Sequence, residues 1–157
     1  MPTIHLTTFI AAPIERVFDL NRNLTIYKAL MHGRKEKFSS GAASSLMGHG
    51  ETITFHAKHF GKTRLVTTRV TTLQKNSSFV QEQVKGDLLH YKHEQHFKPV
   101  ENGTIMIDMI DFAGPRDVIG KIMAKLYLKT YLERFLNKRN SLIQQYAETE
   151  KWRAVLS

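Results

Sequence analysis

Residues 114–146 read GPRDVIGKIMAKLYLKTYLERFLNKRNSLIQQY and form the longest patterned stretch of the chain. After Gly114 and Pro115, apolar residues recur with the 3.6-residue period of an α-helix. They are Ile119, Ile122, Met123, Leu126, Leu132, Phe135, Leu136, Leu142, Ile143 and Tyr146. A helix of roughly 30 residues is about 45 Å long. The pattern therefore predicts one long C-terminal helix, which needs an equally large apolar partner to cover its stripe.

The residues before this helix supply that partner, because they carry a series of β-strand signals. β-branched and aromatic residues are frequent in the ranges 34–38, 51–57, 59–73, 79–84, 88–97 and 104–112. Most of these ranges are separated by short turn sequences, namely Phe60-Gly61-Lys62, Asn76-Ser77-Ser78, Gly86-Asp87 and Glu101-Asn102-Gly103. Connections this short predict antiparallel neighbours in a meander, since parallel strands need a longer crossover.

The N-terminal part predicts one more strand and two short helices. Residues 3–10 are partly alternating and β-branched, and Pro13 follows at a position where a helix can begin. Asn21 to Asn23 interrupt the apolar face of that helix, and a second helix starts near Leu24. The expected class is α+β, with six to seven antiparallel strands and a long closing helix, in a single domain over residues 1–157.

Composition narrows the class of protein. The chain has 157 residues, 41% of them apolar and 24% charged, as in an ordinary globular domain. It has no Cys, which excludes disulfides, thiolate zinc sites and Cys nucleophiles. The N-terminus lacks a signal-peptide pattern, and no run of about 18 apolar residues occurs. We therefore predict a cytoplasmic protein without a transmembrane segment.

Several short sequences, in this order and spacing, resemble those of the START-like (SRPBCC) superfamily of polyketide cyclase/dehydrase and lipid-transport proteins. The resemblance covers nearly the whole chain and is closest to small bacterial members described as ligand-binding or cell-division-inhibitor-like. It rests on Ala11-Ala12-Pro13-Ile14-Glu15-Arg16-Val17-Phe18-Asp19, Gly50-Glu51, Phe60-Gly61, Phe79-Val80-Gln81-Glu82-Gln83 with Gly86, His93 to Phe97, Gly103-Thr104 to Asp108, and Pro115 to Gly120.

The resemblance implies a helix-grip fold, as in START domains and pollen allergens, in which a curved sheet surrounds the C-terminal helix. It also implies a cavity between them for a lipid, polyketide, isoprenoid or similar apolar molecule. The superfamily contains cyclases, carriers and proteins without known activity, so the fold alone does not decide between binding and catalysis.

Two polar residues of the predicted sheet are candidates for site chemistry. His93 shares a strand face with Tyr91, Gln95 and Phe97, and it is interpreted as a structural histidine, a polar ligand contact or a general acid/base. Asp108 lies between apolar residues and needs a partner or a raised pKa if it points inward. His93 is a plausible partner, but counting outward from Asn102 places residue 96 opposite Asp108.

The remaining candidates are ligand contacts. Gln83 is a possible polar contact, and whichever of Arg64 and Arg69 points inward could bind a carboxylate or phosphate, because alternation alone leaves the inner faces of both strands undecided. Tyr91, Met106, Ile119, Met123 and Leu126 are expected to line the cavity, besides forming core. No metal site is predicted, because His90 and His96 face away from His93 on a strand. No nucleophile or phosphate-loop motif implies a cofactor.

The net charge of +9 leaves a further hypothesis open. Much of the positive charge lies in the predicted helix and is interpreted as a solvated basic face, or as a weak contact for polyanions through its three N-terminal lysines. These basic residues are Lys121, Lys125, Lys129, Arg134, Lys138 and Arg139. DNA binding is not expected. Three functions remain: a carrier or sensor of a hydrophobic molecule, a cyclase/dehydratase-type enzyme acting through His93 or Asp108, and a basic interaction module. The sequence leaves the oligomeric state undecided.

Overall fold

The described part of the chain forms one strand, two short helices, six further strands and a long helix, followed by a short C-terminal turn and helix. The computed structural model describes residues 3–31, 37–40, 44–59, 61–115 and 121–156. In chain order the elements are β1 (Thr3–Ile10), α1 (Ile14–Asn21), α2 (Leu24–Met31), β2 (Lys37–Ser40), β3 (Thr52–His59), β4 (Lys62–Gln74), β5 (Ser78–Gly86), β6 (Leu88–Val100), β7 (Gly103–Pro115), α3 (Lys121–Glu148), a 3₁₀ turn (Glu150–Trp152) and α4 (Arg153–Leu156).

The strands form one seven-stranded antiparallel sheet in the order β1-β7-β6-β5-β4-β3-β2. Strands β2 to β7 are a meander, and β1 joins the end of the sheet beside β7. Register shifts between Thr67 and Thr68 and between Val70 and Thr72 interrupt the β4–β5 pairing. Such irregularities bend a strand and increase its twist. The predicted α+β helix-grip architecture, with a curved antiparallel sheet around a long helix, is confirmed.

The predicted turns have the backbone conformations that their residue types favour. Asn76 and Asn102 have positive φ angles of 59° and 67°, as tight reversals between strands require. Gly86, with φ of 154°, ends β5 where the chain passes close to β4. A Cβ atom at this glycine would lie 2.6 Å from the carbonyl oxygen of Leu65, so the position needs a residue without a side chain.

The long C-terminal helix is confirmed, but part of its predicted apolar stripe is wrong. Helix α3 has 28 residues, about 42 Å, and it packs on α1, α2, β1 and β7. Its buried apolar residues are Ala124, Leu128, Leu132, Leu136, Ile143 and Ala147. Ile122, Met123 and Leu126 are exposed, because they lie on the opposite side of the first two turns. Among the described helices, none is both long and apolar enough to span a membrane.

Among the described residues, the core consists of two apolar clusters. The larger is built around Phe18, Phe79 and Phe97, between α1, the centre of the sheet and the C-terminal half of α3. The smaller is built around Phe112 and Leu128, between β6, β7 and the N-terminal half of α3. Polar residues lie between the two clusters along β6, β7 and α3, and they form the first part of the candidate site.

Candidate functional site

A buried polar network centres on Asp108 in β7. Its Oδ1 atom lies 2.8 Å from Nε2 of His93 and 2.7 Å from Nη2 of Arg139. Its Oδ2 atom accepts a hydrogen bond of 2.9 Å from Nδ2 of Asn140. All four residues are at most 3% exposed. We call His93, Asp108, Arg139 and Asn140 the Asp108 cluster; it joins two strands of the sheet to α3.

Strand register explains how His93 meets Asp108. Asp108 pairs directly with Gln95, while His93 pairs with Ile110, so His93 and Asp108 are diagonal neighbours on one face. Diagonal side chains on adjacent strands are close enough for long or aromatic groups to touch. The expected pairing with residue 96 was wrong by one residue, because the turn has two residues, Glu101 and Asn102.

Helix α3 contributes the cationic member of the cluster. Arg139 lies between Leu136 and Ile143, on the helix side that faces the sheet, and it is 1% exposed. Sequence reasoning counted Arg139 among the solvated basic residues of the helix, which is wrong. Arg139 lies inside the apolar repeat of the helix, where a solvated cation is not expected, and this position could have indicated that it is buried. An Asp108 partner was sought only on the neighbouring strand, so Arg139 and Asn140 were missed.

The environment of the Asp108 cluster determines the protonation states of its residues. Burial opposes the ionisation of Asp108, but the Arg139 cation and the hydrogen bonds from His93 and Asn140 hold its pKa at about 2. Burial lowers the pKa of His93, although Asp108 partly offsets that effect. Burial also disfavours the Arg139 cation, but Asp108, Tyr27 and Tyr91 together outweigh that effect and raise the pKa of Arg139. At neutral pH the cluster is thus an Asp108–Arg139 ion pair with a neutral His93, which must donate from Nε2 because the carboxylate only accepts.

These shifts predict a loss of stability in acid. The ordinary pKa values are 6.5 for His93 and 3.8 for Asp108, and both fall on folding. The unfolded chain therefore binds more protons than the folded protein as the pH falls. We expect the free energy of unfolding to decrease first below about pH 6.5, and again between pH 3.8 and about 2, where Asp108 contributes about 2 kcal/mol.

Urea unfolding across this pH range measures the effect. His93→Gln keeps a donor beside Asp108 but removes the titrating ring, so the decrease that begins near pH 6.5 should become shallower. An unchanged decrease in this variant would contradict the assignment of that step to His93.

A pocket of about 90 Å³ opens between the sheet and the N-terminal half of α3. Its walls are mostly apolar and come from α2, β3, β4, β6 and α3, with the residues Met31, Phe55, Ala57, Val66, Leu88, Leu128, Leu132 and Phe135. Phe55 pairs with Val66 and Ala57 with Arg64, so both pairs lie on the inner face of the sheet. An apolar wall of this kind favours an apolar ligand.

Four lining residues carry polar groups: His56, Arg64, Tyr91 and Tyr131. Arg64 is 5% exposed, which settles which face of β4 is the inner one. Burial raises the pKa of Tyr91, as do Tyr27, Tyr131 and Asp108 to a smaller extent, so its hydroxyl is neutral at physiological pH. Tyr27 in turn forms a hydrogen bond with Arg139. Tyr91 therefore belongs to the pocket wall, while Tyr27 adds a further contact to the Asp108 cluster.

The structure separates the expected site residues. Tyr91 lines the pocket, whereas His93 and Asp108 lie in the buried network beside it. Gln83 is not a lining residue, and its Nε2 donates to the carbonyl oxygen of Leu88 at 2.9 Å. Met106 is fully buried in the larger core cluster, where its sulfur lies 3.2 Å from Nδ2 of Asn21. Gln83 and Met106 therefore have structural contacts at their observed positions.

Two α3 residues that were expected to line the cavity are exposed to solvent instead. Met123 is 73% exposed and Leu126 is 54% exposed, so neither lines the pocket, and this expectation was wrong. A shift of one or two positions along a helix turns a side chain from the core to solvent, and Ala124 and Leu128 take the inner positions. Ile119 and the side chain of Lys121 lie outside the described residues, as do residues 34–36 of the second predicted strand.

Comparison with known proteins identifies the fold. The sequence matches no family model and no curated protein. The solved structure of TTHA0849 from Thermus thermophilus is similar at a TM-score of 0.75 and 18% identity, over 99% of this chain and 100% of that one. The Zhui aromatase/cyclase from Streptomyces sp. R1128 is similar at a TM-score of 0.74 and 16% identity, over 94% and 93%.

A START superfamily protein from Mycobacterium smegmatis is similar at a TM-score of 0.66 and 15% identity, over 93% of this chain and 97% of that one. These similarities extend over nearly the full length of both aligned chains. The chain thus has a START-like helix-grip fold, as its sequence predicted.

Proposed function

We propose that the protein binds a hydrophobic small molecule in the pocket between the sheet and α3, as a carrier or sensor. The observation that carries the proposal is the composition of the pocket wall, in which aliphatic and aromatic side chains surround a few polar groups. Ligand pockets in proteins have this composition. The START-like fold supports the proposal, and a lipid, a polyketide or an isoprenoid-like molecule has the required apolar surface.

The expected affinity follows from apolar burial. A ligand that buries some 300 Å² of apolar surface gains roughly 7 kcal/mol before the costs of association. The pocket volume of about 90 Å³ is small beside the roughly 300–1,000 Å³ typical of pockets for drug-sized ligands. A lipid-sized molecule would therefore place one end in the pocket and extend through its open side, or displace lining side chains such as Met31.

The polar end of the ligand has a matching group in the pocket. Arg64 lies on the inner face of β4, opposite Ala57, and a guanidinium has five N–H donors. Carboxylate and phosphate groups are its preferred partners. Tyr91 of β6 and Tyr131 of α3 add hydroxyl groups to the pocket lining. An amphipathic anion, such as a long-chain carboxylic acid, fits this combination best.

The alternative is a cyclase/dehydratase-type enzyme in which His93 or Asp108 moves a proton. The fold is shared with an aromatase/cyclase, and His93 directly contacts Asp108. Against this role, Asp108 already accepts hydrogen bonds from three side chains, and a pKa of about 2 makes it a poor base at neutral pH. His93 and Asp108 also do not line the pocket. Binding is therefore the better supported function.

Native mass spectrometry of protein purified from its source cells tests the proposal. We expect a stoichiometric apolar adduct, which organic extraction and mass analysis then identify. In a thermal-shift panel of long-chain fatty acids, isoprenoids and aromatic polyketides, at least one compound should raise the melting temperature of the protein. A clean unliganded mass together with no thermal shift across this panel would overturn the proposal. Conversion of a bound molecule, lost in His93→Gln while binding persists, would establish the enzyme instead.

A further inference from the structure

The first two turns of α3 present an apolar surface to solvent. Ile122 is 76% exposed, Met123 73%, Leu126 54% and Tyr127 46%. Residues three and four apart are neighbours on a helix, so these side chains form one continuous patch. We call it the α3 stripe. Contiguous exposed apolar surface on a soluble domain marks an interaction site, in contrast to single exposed apolar residues.

Lysine residues lie beside the α3 stripe. Lys125 and Lys129 are exposed on the same turns, and the whole chain has a net charge of +9. Lys129 lies 4.0 Å from Glu133, but both side chains are nearly half exposed, so the pair is weak. Large apolar side chains flanked by Lys are typical of helices that lie on anionic bilayers, where the apolar groups enter the acyl boundary and the cations meet headgroups.

Other occupants fit this surface less well. A second copy of the chain would bring the Lys125 and Lys129 side chains together with their own copies, and like charges oppose that contact. Nucleic-acid binding depends mainly on cations that contact phosphates, and it leaves no partner for Ile122 and Leu126 in the middle of the patch. An anionic bilayer satisfies the apolar and the cationic side chains together.

We propose that the α3 stripe, with Lys125 and Lys129, binds the surface of an anionic lipid bilayer. The docking depends on exposed residues of α3 and does not require a ligand in the pocket. It therefore stands or falls separately from the proposed ligand binding. Leu128 lines the pocket from the opposite side of the same helix turns, so α3 would separate a docked bilayer from the pocket.

Vesicle co-sedimentation tests the proposal with the full chain. We expect binding to vesicles of phosphatidylcholine mixed with phosphatidylglycerol, and little binding to phosphatidylcholine alone. Added salt should weaken the binding because it screens the lysine contribution. Leu126→Ser should reduce the partition coefficient about tenfold. Lys125→Gln with Lys129→Gln should reduce it about 25-fold, since each cation near an anionic surface is worth about fivefold.

Val100→Ser is the matched control. Val100 is 43% exposed. It is the last residue of β6, whereas the pocket-lining residue Leu88 is the first, so the two lie at opposite ends of the strand. This variant should bind vesicles as the unmodified protein does, and the melting temperature of every variant should confirm that it is folded. Equal binding to both vesicle types, or equal binding by the Leu126 and Val100 variants, would overturn the proposal. Absence of vesicle binding would do the same, whether accompanied by dimer formation or by DNA binding through the stripe.

Discussion

Asp108→Asn should lower the free energy of unfolding by about 3–5 kcal/mol, the range for removing one partner of a buried ion pair. Asn has nearly the same shape as Asp, so the loss reports the charge and not a cavity. Arg139 would be left as a cation in the core at 1% exposure with its carboxylate removed. Urea denaturation at neutral pH measures this loss, because the midpoint and slope of the transition give the free energy of unfolding.

Asp111→Asn is the control for this change. Asp111 lies on the same strand but on the other face, where it accepts a hydrogen bond from Thr3 at the surface, and its replacement should cost no more than about 0.5 kcal/mol. Arg139→Met combined with Asp108→Asn should cost less than the sum of the two single variants, because no unpaired charge remains. A loss at Asp108 as small as that at Asp111 would contradict the role of the Asp108 cluster.

Ala57→Phe should abolish most ligand binding while the protein stays folded. Ala57 faces the pocket from β3, directly opposite Arg64, so a phenyl ring there occupies the space that the ligand would use. Excluding about 120 Å² of apolar ligand surface costs about 3 kcal/mol, which weakens binding roughly a hundredfold. A long-chain fatty acid and anilinonaphthalene sulfonate serve as probes, with affinity measured by calorimetry and fluorescence.

Ala154→Phe is the comparison, since Ala154 is exposed in α4 and does not line the pocket. It should leave the affinity for both probes unchanged. If Ala57→Phe binds both probes as tightly as Ala154→Phe does, the ligand occupies another part of the molecule. A fall in melting temperature with unchanged affinity would mean that Ala57 matters only for packing.

Local residue chemistry was enough to predict the fold. The change from two-residue to 3.6-residue periodicity after Pro115 separates the sheet from α3, and Asn and Gly residues place the reversals between strands. These signals act over a few residues and do not depend on tertiary contacts. The architecture therefore followed from the order of elements and from the need of a long amphipathic helix for an apolar partner.

The candidate site depended on longer-range information. Arginine is a residue type usually found at protein surfaces. Arg139 contacts Asp108 only because α3 packs against β7. The inner face of β4 was undecided, because Arg64 and Arg69 alternate on a strand with apolar residues on both faces. Met123 and Leu126 were assigned to the cavity because hydrophobicity alone cannot distinguish a core position from an exposed interaction surface.

The division of the core by the Asp108 cluster has a consequence for how the molecule opens. The smaller cluster, around Phe112 and Leu128, contributes half of the residues that line the pocket, whereas the larger cluster around Phe18 and Phe79 lies mainly beyond the polar layer. Because each cluster has its own apolar contacts, we expect the first half of α3 to open locally while the second half keeps its structure. Amide hydrogen exchange would then be faster along the first half of α3 than near Ile143, and a long molecule could enter through such an opening without global unfolding.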